Sequence, residues 1–167
     1  MYKQSVIFFI ISFCFLLVGC QASIEQEEDK AKSLVRKEMK EKPKSPNNQS
    51  EQLAFYLPFK MEIEEETTNN LIFKKRSRTY VLFYNPYEQE DSTVLYDAAK
   101  KQARLSHTYL ENDKFGYLLI HEVAGKGTFQ VTVGIGGIKM TTETDTRHVA
   151  KDAQMMMEIV SSTVPIK

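Results

Sequence analysis

Residues 115–142, FGYLLIHEVAGKGTFQVTVGIGGIKMTT, decide the fold. Apolar and polar side chains alternate through much of this stretch, as they do in strands with one buried face. Glycine-containing breaks at 124–127 and 134–137 are typical of hairpin turns and divide the stretch into three strands. Because each turn fixes the register of the strands that it joins, the sequence also predicts which side chains share a face.

A fourth strand is expected just before this stretch, after which a turn at 111–114 completes an antiparallel meander. The four predicted strands are Leu105 to Leu110, Phe115 to Val123, Thr128 to Val133 and Ile138 to Thr142. Pairing across the turns gathers apolar side chains on one face, namely Leu105, Tyr109, Leu118, Ile120, Phe129, Val131, Val133, Ile138 and Met140. The other face is mostly polar and is expected to face solvent. It carries Leu119, His121, Gln130, Thr132, Lys139 and Thr141.

The segment after the meander predicts a helix that covers the apolar face. Asp145 or Thr146 can cap the start of this helix. Its apolar side, at helical spacing, consists of Val149, Ala153, Met156, Met157 and Val160, while Lys151, Asp152 and Glu158 fall elsewhere. The methionines at 155–157 are interpreted as adaptable core filling rather than as a metal or redox site.

Strand patterns also precede the meander. Phe59, Met61 and Ile63 alternate with charged residues, which predicts a half-buried strand. Two further strands and a short helix are expected after it, at Leu71 to Lys75, at Thr79 to Tyr84 in the centre of the sheet, and at 92–101 with Ser92 as the N-cap.

These patterns predict an α+β fold, in which an antiparallel sheet of about five to seven strands carries a C-terminal helix on one face. The sheet and the helix occupy residues 51–167, a length typical of one domain. Residues 20–50 are rich in charge and contain no aromatic side chain, so we expect a flexible linker there. A thin apolar stripe in this segment predicts at most a frayed, solvated helix up to about Lys42. The stripe consists of Ala31, Leu34, Val35 and Met39.

The tetrapeptide Leu17, Val18, Gly19, Cys20 ends an uncharged apolar run that begins at Val6. A run of this length spans only about 20 Å as a helix, and crossing a bilayer takes roughly 20 apolar residues. The segment is therefore too short to span a membrane and has the form of an export signal. With the tetrapeptide as a lipobox, it resembles the signal of bacterial lipoprotein precursors.

That resemblance implies a signal peptide at 1–19, recognised by signal peptidase at Leu17, Val18 and Gly19, and a diacylglycerol joined to the sulfur of Cys20. Two acyl chains hold a protein stably at a membrane, whereas one does so only marginally. The implied location is the outer, extracytoplasmic face of the cell membrane, with membrane lipid as the first partner. A buried helix, or an ordinary secretory signal with an incidental Cys20, is the alternative.

Cysteine usage and charge exclude several classes of function. Cys14 lies in the signal and the sulfur of Cys20 would carry lipid, so the mature chain would have no free thiol or disulfide. Lys3 is the only charged residue before Cys20, which leaves the mature chain with one more acidic than basic residue. This balance gives no reason to expect a nucleic acid partner. No metal site or cofactor is predicted either.

No catalytic residue is predicted, because the histidines lack catalytic or zinc-binding spacing. His121 and Glu122 are neighbours on a strand and point to opposite faces. His107 would share a face with Glu122, but the predicted register places them about four residues apart. His121, Gln130 and Thr141, on the polar face of the sheet, are retained as weak binding candidates.

A basic cluster is the other candidate binding feature. Lys74, Lys75, Arg76 and Arg78 surround Ser77 at a predicted hairpin tip and can contact anionic headgroups or an anionic envelope polymer. An ordinary solvated turn is the alternative.

The sequence therefore favours a lipid-anchored, extracytoplasmic envelope protein that is non-enzymatic and binds or supports another component, either an envelope protein or an anionic polymer. One alternative is a hydrolase of envelope material that uses His121 with Gln130 and Thr141. Another is a ligand-binding accessory of a transporter.

Overall fold

A computed structural model of the chain describes residues 23–166. The predicted signal segment 1–19 and the lipobox, with Leu17, Val18, Gly19 and Cys20, lie outside the described residues. Their roles therefore stay predictions.

The described chain has the predicted α+β fold. Its helices are α1 (Ile24–Lys40), α2 (Val94–Ala99) and α3 (Val149–Ser162), and a 3-10 helix (Thr146–His148) leads into α3. Its strands are β1 (Asn48–Gln49), β2 (Leu53–Phe55), β3 (Glu62–Thr67), β4 (Asn70–Lys75), β5 (Arg78–Tyr84), β6 (Leu105–Glu111), β7 (Lys114–Val123), β8 (Thr128–Ile135), β9 (Ile138–Thr144) and β10 (Val164–Pro165).

Seven of these strands form an antiparallel sheet in the order β3-β4-β5-β9-β8-β7-β6, and the short strands form a second sheet, β1-β2-β10. The predicted meander and its register are confirmed, with Leu118 opposite Val133 and Val133 opposite Met140. Pairing between β8 and β9 continues to Ile135, so the turn is shorter than predicted and consists of Gly136 and Gly137. Gly136 has a φ of +49°, a conformation that glycine adopts without strain.

The predicted apolar face of the meander is the main core. All nine of its predicted residues are buried or pack against the core cluster. Helix α3 covers this face, and its five predicted apolar residues are all buried, from Val149 to Val160. Asp145 caps the 3-10 helix by accepting a hydrogen bond from the Arg147 backbone N–H at 3.1 Å.

The prediction of a flexible linker is wrong for residues 24–40, which form α1. Ser23 and Gln26 form a capping box at its start. Ala31 and Val35 are completely buried against the core, so the apolar stripe is part of the folded domain. The high charge of this segment suggested a linker because charged residues occupy most of the helix surface. Only a narrow stripe of apolar side chains faces the core.

Helices α1 and α3 lie side by side and run in the same direction. Near their starts, the Glu27 carboxylate accepts a hydrogen bond from the Ala150 backbone N–H at 3.2 Å. Farther along, the Gln154 side chain donates to Glu38 at 2.7 Å. We call the end of the molecule that holds Ser23 and the starts of both helices the basal end.

The turns of the large sheet are divided between two ends. Strand β9 runs into the 3-10 helix at the basal end, and antiparallel pairing therefore places the β4–β5 turn (76–77) and the β7–β8 turn (124–127) there as well. The turns at 68–69, 112–113 and 136–137 lie at the opposite end, which we call the apical end.

Three smaller predictions need correction. The outer face of the meander is not uniformly solvated, because α2 and its flanking loops cover part of it. Tyr117 and Leu119 on this face are completely buried, and they form a small cluster with the buried Leu95 of α2. The N-cap of α2 is Thr93 rather than Ser92, since the helix begins at Val94. Phe59 is 84% exposed, because β3 begins only at Glu62 and leaves Phe59 in the preceding loop.

Candidate functional site

A cleft at the basal end, between the β4–β5 turn and the start of α3, gathers charged and hydrogen-bonding side chains. Its volume is about 290 Å³. The cleft is lined by Lys75, Arg76, Ser77, Arg78, Tyr80, His148, Lys151, Asp152 and Met155. Arg76 occupies a left-handed turn conformation with a φ of +58°, which lets β4 reverse directly into β5.

Asp152 forms the floor of the cleft. Its side chain is 6% exposed and accepts three hydrogen bonds. The donors are Arg78 Nη1 at 2.7 Å, Tyr80 Oη at 3.0 Å and Thr144 Oγ1 at 2.7 Å. The sequence prediction placed Asp152 away from the core, and this is wrong. The position is buried because α3 presents it to β5 and β9, where a cation and two hydroxyls satisfy it.

Burial, together with the Asp152 charge, raises the pKa of Tyr80 to about 12. Tyr80 therefore remains a hydroxyl donor at neutral pH, and its proton points to the carboxylate. This network holds Arg78 in place at the edge of the cleft, where its side chain is 25% exposed. A fixed, partly exposed guanidinium is suited to binding an anion from the outside.

Lys75 and Lys151 add positive charge to the walls of the cleft. Lys75 Nζ lies 3.0 Å from Met155 Sδ and is half-buried. Burial of its ammonium group lowers the pKa of Lys75, and the nearby charge of Lys151 lowers it further. Within residues 23–166, Lys75, Arg76 and Lys151 have no acidic side chain within ion-pair distance.

His148 and Asp145 form the rim on the side of the 3-10 helix. The His148 Nδ1 atom lies 2.9 Å from both carboxylate oxygens of Asp145, which also lies 3.8 Å from Arg78 Nη2. Burial alone would raise the pKa of Asp145, but the His148 hydrogen bond and the neighbouring positive charges lower it overall. Asp145 is therefore ionised at neutral pH and is already engaged by Arg78 and Arg147.

The structure brings together three of the four residues of the predicted basic cluster. Lys75, Arg76 and Arg78 line the cleft. Lys74 lies on the other face of the hairpin, where it pairs with Glu64 at 2.8 Å, because consecutive strand residues point in opposite directions.

Sequence reasoning missed the cleft residues contributed by the other elements. Tyr80 follows Arg78 at the period of a strand, which signals a shared face. No local pattern connects either of them with His148, Lys151 or Asp152, which are about 70 residues away and meet them only through the pairing of β5 with β9.

The binding candidates on the polar face, His121, Gln130 and Thr141, lie on neighbouring strands but do not form a catalytic group. His121 lies opposite Gln130, and Thr141 is displaced by two residues, opposite Thr132, with which it shares a hydrogen bond of 2.9 Å. The His121 Nε2 atom has the Lys101 carbonyl at 3.1 Å, and its buried Nδ1 atom has no hydrogen-bond partner among the described residues. No carboxylate of the described chain orients the imidazole, so the geometry does not favour the hydrolase hypothesis.

Across residues 23–166, no group of three or more His, Cys, Asp or Glu side chains is arranged to hold a metal ion. None of the helices in this range has the length and apolar character needed to cross a bilayer. Comparison with protein-family models and with curated protein sequences finds no match for the chain.

Proposed function

We propose that this chain is a lipid-anchored, extracytoplasmic envelope protein with a binding role, and that the basal cleft binds an anionic, phosphate-bearing group. The observation that carries the proposal is the cleft itself. It gathers the cations Lys75, Arg76, Arg78 and Lys151 around one opening, and the buried Asp152 network fixes Arg78 in position.

Phosphate is the anion that this arrangement suits best. A guanidinium presents donors in a planar fork that matches phosphate oxygens, and the ammonium groups of lysines act as flexible point charges beside it. Asp152 does not oppose the ligand strongly, because its charge is engaged by three donors at the floor of the cleft. Phosphate occurs in envelope polymers and in lipid headgroups, and both present the same chemistry to the cleft.

The anchoring part of the proposal rests on the lipobox. Cys20→Ala removes the sulfur that would accept the diacylglycerol, so we expect this variant to accumulate as uncleaved precursor or to leave the membrane fraction. An alanine variant that fractionates and migrates like the wild-type chain would contradict the anchoring.

The binding part is tested with a synthetic glycerol-phosphate oligomer and the mature protein in isothermal titration calorimetry. A triple variant that replaces Lys75, Arg76 and Lys151 with Gln should lose affinity by at least about tenfold. The matched control replaces Lys37, Lys40 and Lys42 with Gln, which removes the same charge from exposed positions near the end of α1. Equal losses in both variants would show only a general charge effect and would argue against a site in the cleft.

A further inference from the structure

The position of α1 determines how an anchored domain meets the membrane. Cys20 and Ser23 are three residues apart, and an extended chain of that length spans at most about 11 Å. Ser23 is the N-cap of α1, and α1 is packed into the domain by Ala31 and Val35. An acylated Cys20 would therefore hold the basal end within about one headgroup layer of the bilayer, in place of the long flexible tether expected from composition.

The cleft lies at this same end. Helix α1 rises about 1.5 Å per residue from Ser23 to Glu27, and the Glu27 carboxylate bonds to Ala150, two residues after the rim residue His148. Following these contacts, Ser23 and His148 are separated by at most about 20 Å. The opening of the cleft is thus within reach of the surface that holds the lipid.

The turns at the two ends differ in charge. The basal turns contain Arg76 at 76–77, Lys126 at 124–127 and Arg147 in the 3-10 helix. The apical turns at 68–69, 112–113 and 136–137 contain no lysine or arginine. The cations of the cleft lie on this same side, nearest the anchor, and complement the negative surface of a membrane that contains anionic lipids.

Among the described residues, Arg104, Lys126 and Arg147 are ion-paired with acidic side chains of the basal end, with Arg147 Nε at 3.5 Å from Asp145. Glu25 and Glu28 bind Arg104 at 2.5 and 2.8 Å. Glu143 accepts from Thr128 at 2.6 Å and lies 3.4 Å from Lys126. Within the described part of the chain, the cations of this end that have no such partner therefore include Lys75, Arg76 and Lys151 of the cleft.

From this placement we infer that the occupant of the cleft is the phosphate headgroup of an anionic phospholipid in the membrane that holds the anchor. This inference rests on the proposed function and deepens it, because it chooses the lipid over a soluble or wall-borne polymer. The domain then lies on the membrane with its basal end down, held by Cys20 and by the cleft at two separate points.

The experiment uses the lipidated mature protein in vesicles, with the mass of the amino terminus checked first. Because the mature chain is expected to have no free thiol, Ala124→Cys and Thr68→Cys each provide one labelling site, the first in the basal turn between β7 and β8 and the second in the apical turn between β3 and β4. Neither residue lines the cleft. Both residues are exposed, and each carries the same fluorophore. Quenching by a lipid with a headgroup nitroxide measures which end touches the membrane.

In vesicles of phosphatidylcholine with phosphatidylglycerol, we expect several-fold stronger quenching at position 124 than at position 68. The difference should shrink when Lys75, Arg76 and Lys151 are replaced with Gln, and when phosphatidylglycerol is omitted. The control variant, in which Lys37, Lys40 and Lys42 are replaced with Gln, should show the same difference in quenching as the wild-type chain.

Three outcomes would overturn the inference, and they are distinguishable. Equal quenching at both positions would show that the basal end does not face the bilayer. Quenching at position 124 that is insensitive to phosphatidylglycerol, combined with calorimetric binding of the glycerol-phosphate oligomer, would assign the cleft to a polymer and leave the proposed function standing. An unmodified Cys20 in the mass spectrum of protein from its native host would remove this inference and the anchoring part of the proposed function, and the calorimetric test would still decide whether the cleft binds phosphate.

Discussion

At the scale of single residues, Asp152 has the most demanding position in the described chain. It is a nearly buried carboxylate on α3 whose three donors come from β5 and β9. Tyr80 donates to one carboxylate oxygen, and Arg78 and Thr144 donate to the other, so replacing either oxygen with an amide nitrogen leaves at least one donor without an acceptor. Loss of the charge also removes the nearer of the two carboxylates beside Arg78. The residue therefore couples the shape of the cleft to the packing of α3 on the sheet.

We predict that Asp152→Asn lowers the free energy of unfolding by about 3 kcal/mol, because removing one partner of a buried pair leaves the other uncompensated. Urea unfolding followed by circular dichroism measures the change. Asp29→Asn is the matched control, since Asp29 is 77% exposed and pairs only with Lys32 on its own helix. Its effect should stay below about 1 kcal/mol. Similar small losses in both variants would show that the network does not stabilise the fold.

At the scale of elements, the strands of the meander were predictable because local information fixes them. Turn residues at 124–127 and 136–137 set the register, and the alternation on β7 and β8 agrees with it from both sides. Helix α3 was predictable for a similar reason, since its apolar stripe has the width and spacing that a sheet face requires.

The role of α1 was not predictable from its own residues. Its inner side is formed by small or flexible side chains. They are buried only because the rest of the domain offers an apolar surface beside α3, and the residues of α1 do not encode that surface. The cleft was missed for the same physical reason. Arg78 and Asp152 are far apart in the sequence, and their ion pair of 2.7 Å depends on strand order, which no local pattern encodes.

Packing of α1 against β6 predicts a dependence of stability on pH. Burial lowers the pKa of His107, and the charges of Lys32 and Arg36 on α1 lower it further. The folded state therefore binds fewer protons than the unfolded state between the lowered pKa and the ordinary value of about 6.5. Stability should fall as the pH drops through that window and should recover as the pH rises above it.

His107→Gln removes this titration, so its melting temperature should decline less than that of the wild-type chain between about pH 8 and pH 5. Thr108→Gln, on the exposed side of the same strand, should keep the wild-type pH dependence. Differential scanning fluorimetry across this range makes the comparison. If the melting temperatures of the wild-type chain and His107→Gln changed with pH in parallel, the titration of His107 would not contribute to stability.

At the scale of the whole molecule, the folded unit is not limited to residues 51–167 and includes α1 with its N-cap Ser23. Helix α1 contributes Ala31, Val35 and Met39 to the same core that the large sheet and α3 share. Because α1 packs in the core, the position of Ser23 is fixed relative to the sheet and the cleft. A flexible tether in place of α1 would leave that position variable. The proposed orientation, with the basal cleft toward the membrane, therefore requires that α1 and the sheet form one rigid, cooperative unit.

We predict that α1 belongs to one cooperative unit with the sheet. Val35→Asp places a charge in the core and should destabilise the whole domain by at least about 3 kcal/mol. Ser33→Asp introduces the same residue on the exposed side of α1 and should have little effect.

Because Tyr80, Tyr109 and Tyr117 are buried in the sheet, near-ultraviolet circular dichroism reports the sheet, while the far-ultraviolet signal reports all elements. Val35→Asp should shift both transitions together to lower urea. A variant that loses helical signal while its tyrosine signal keeps the wild-type midpoint would show that α1 is a separable attachment, and a membrane-facing cleft would no longer follow from it.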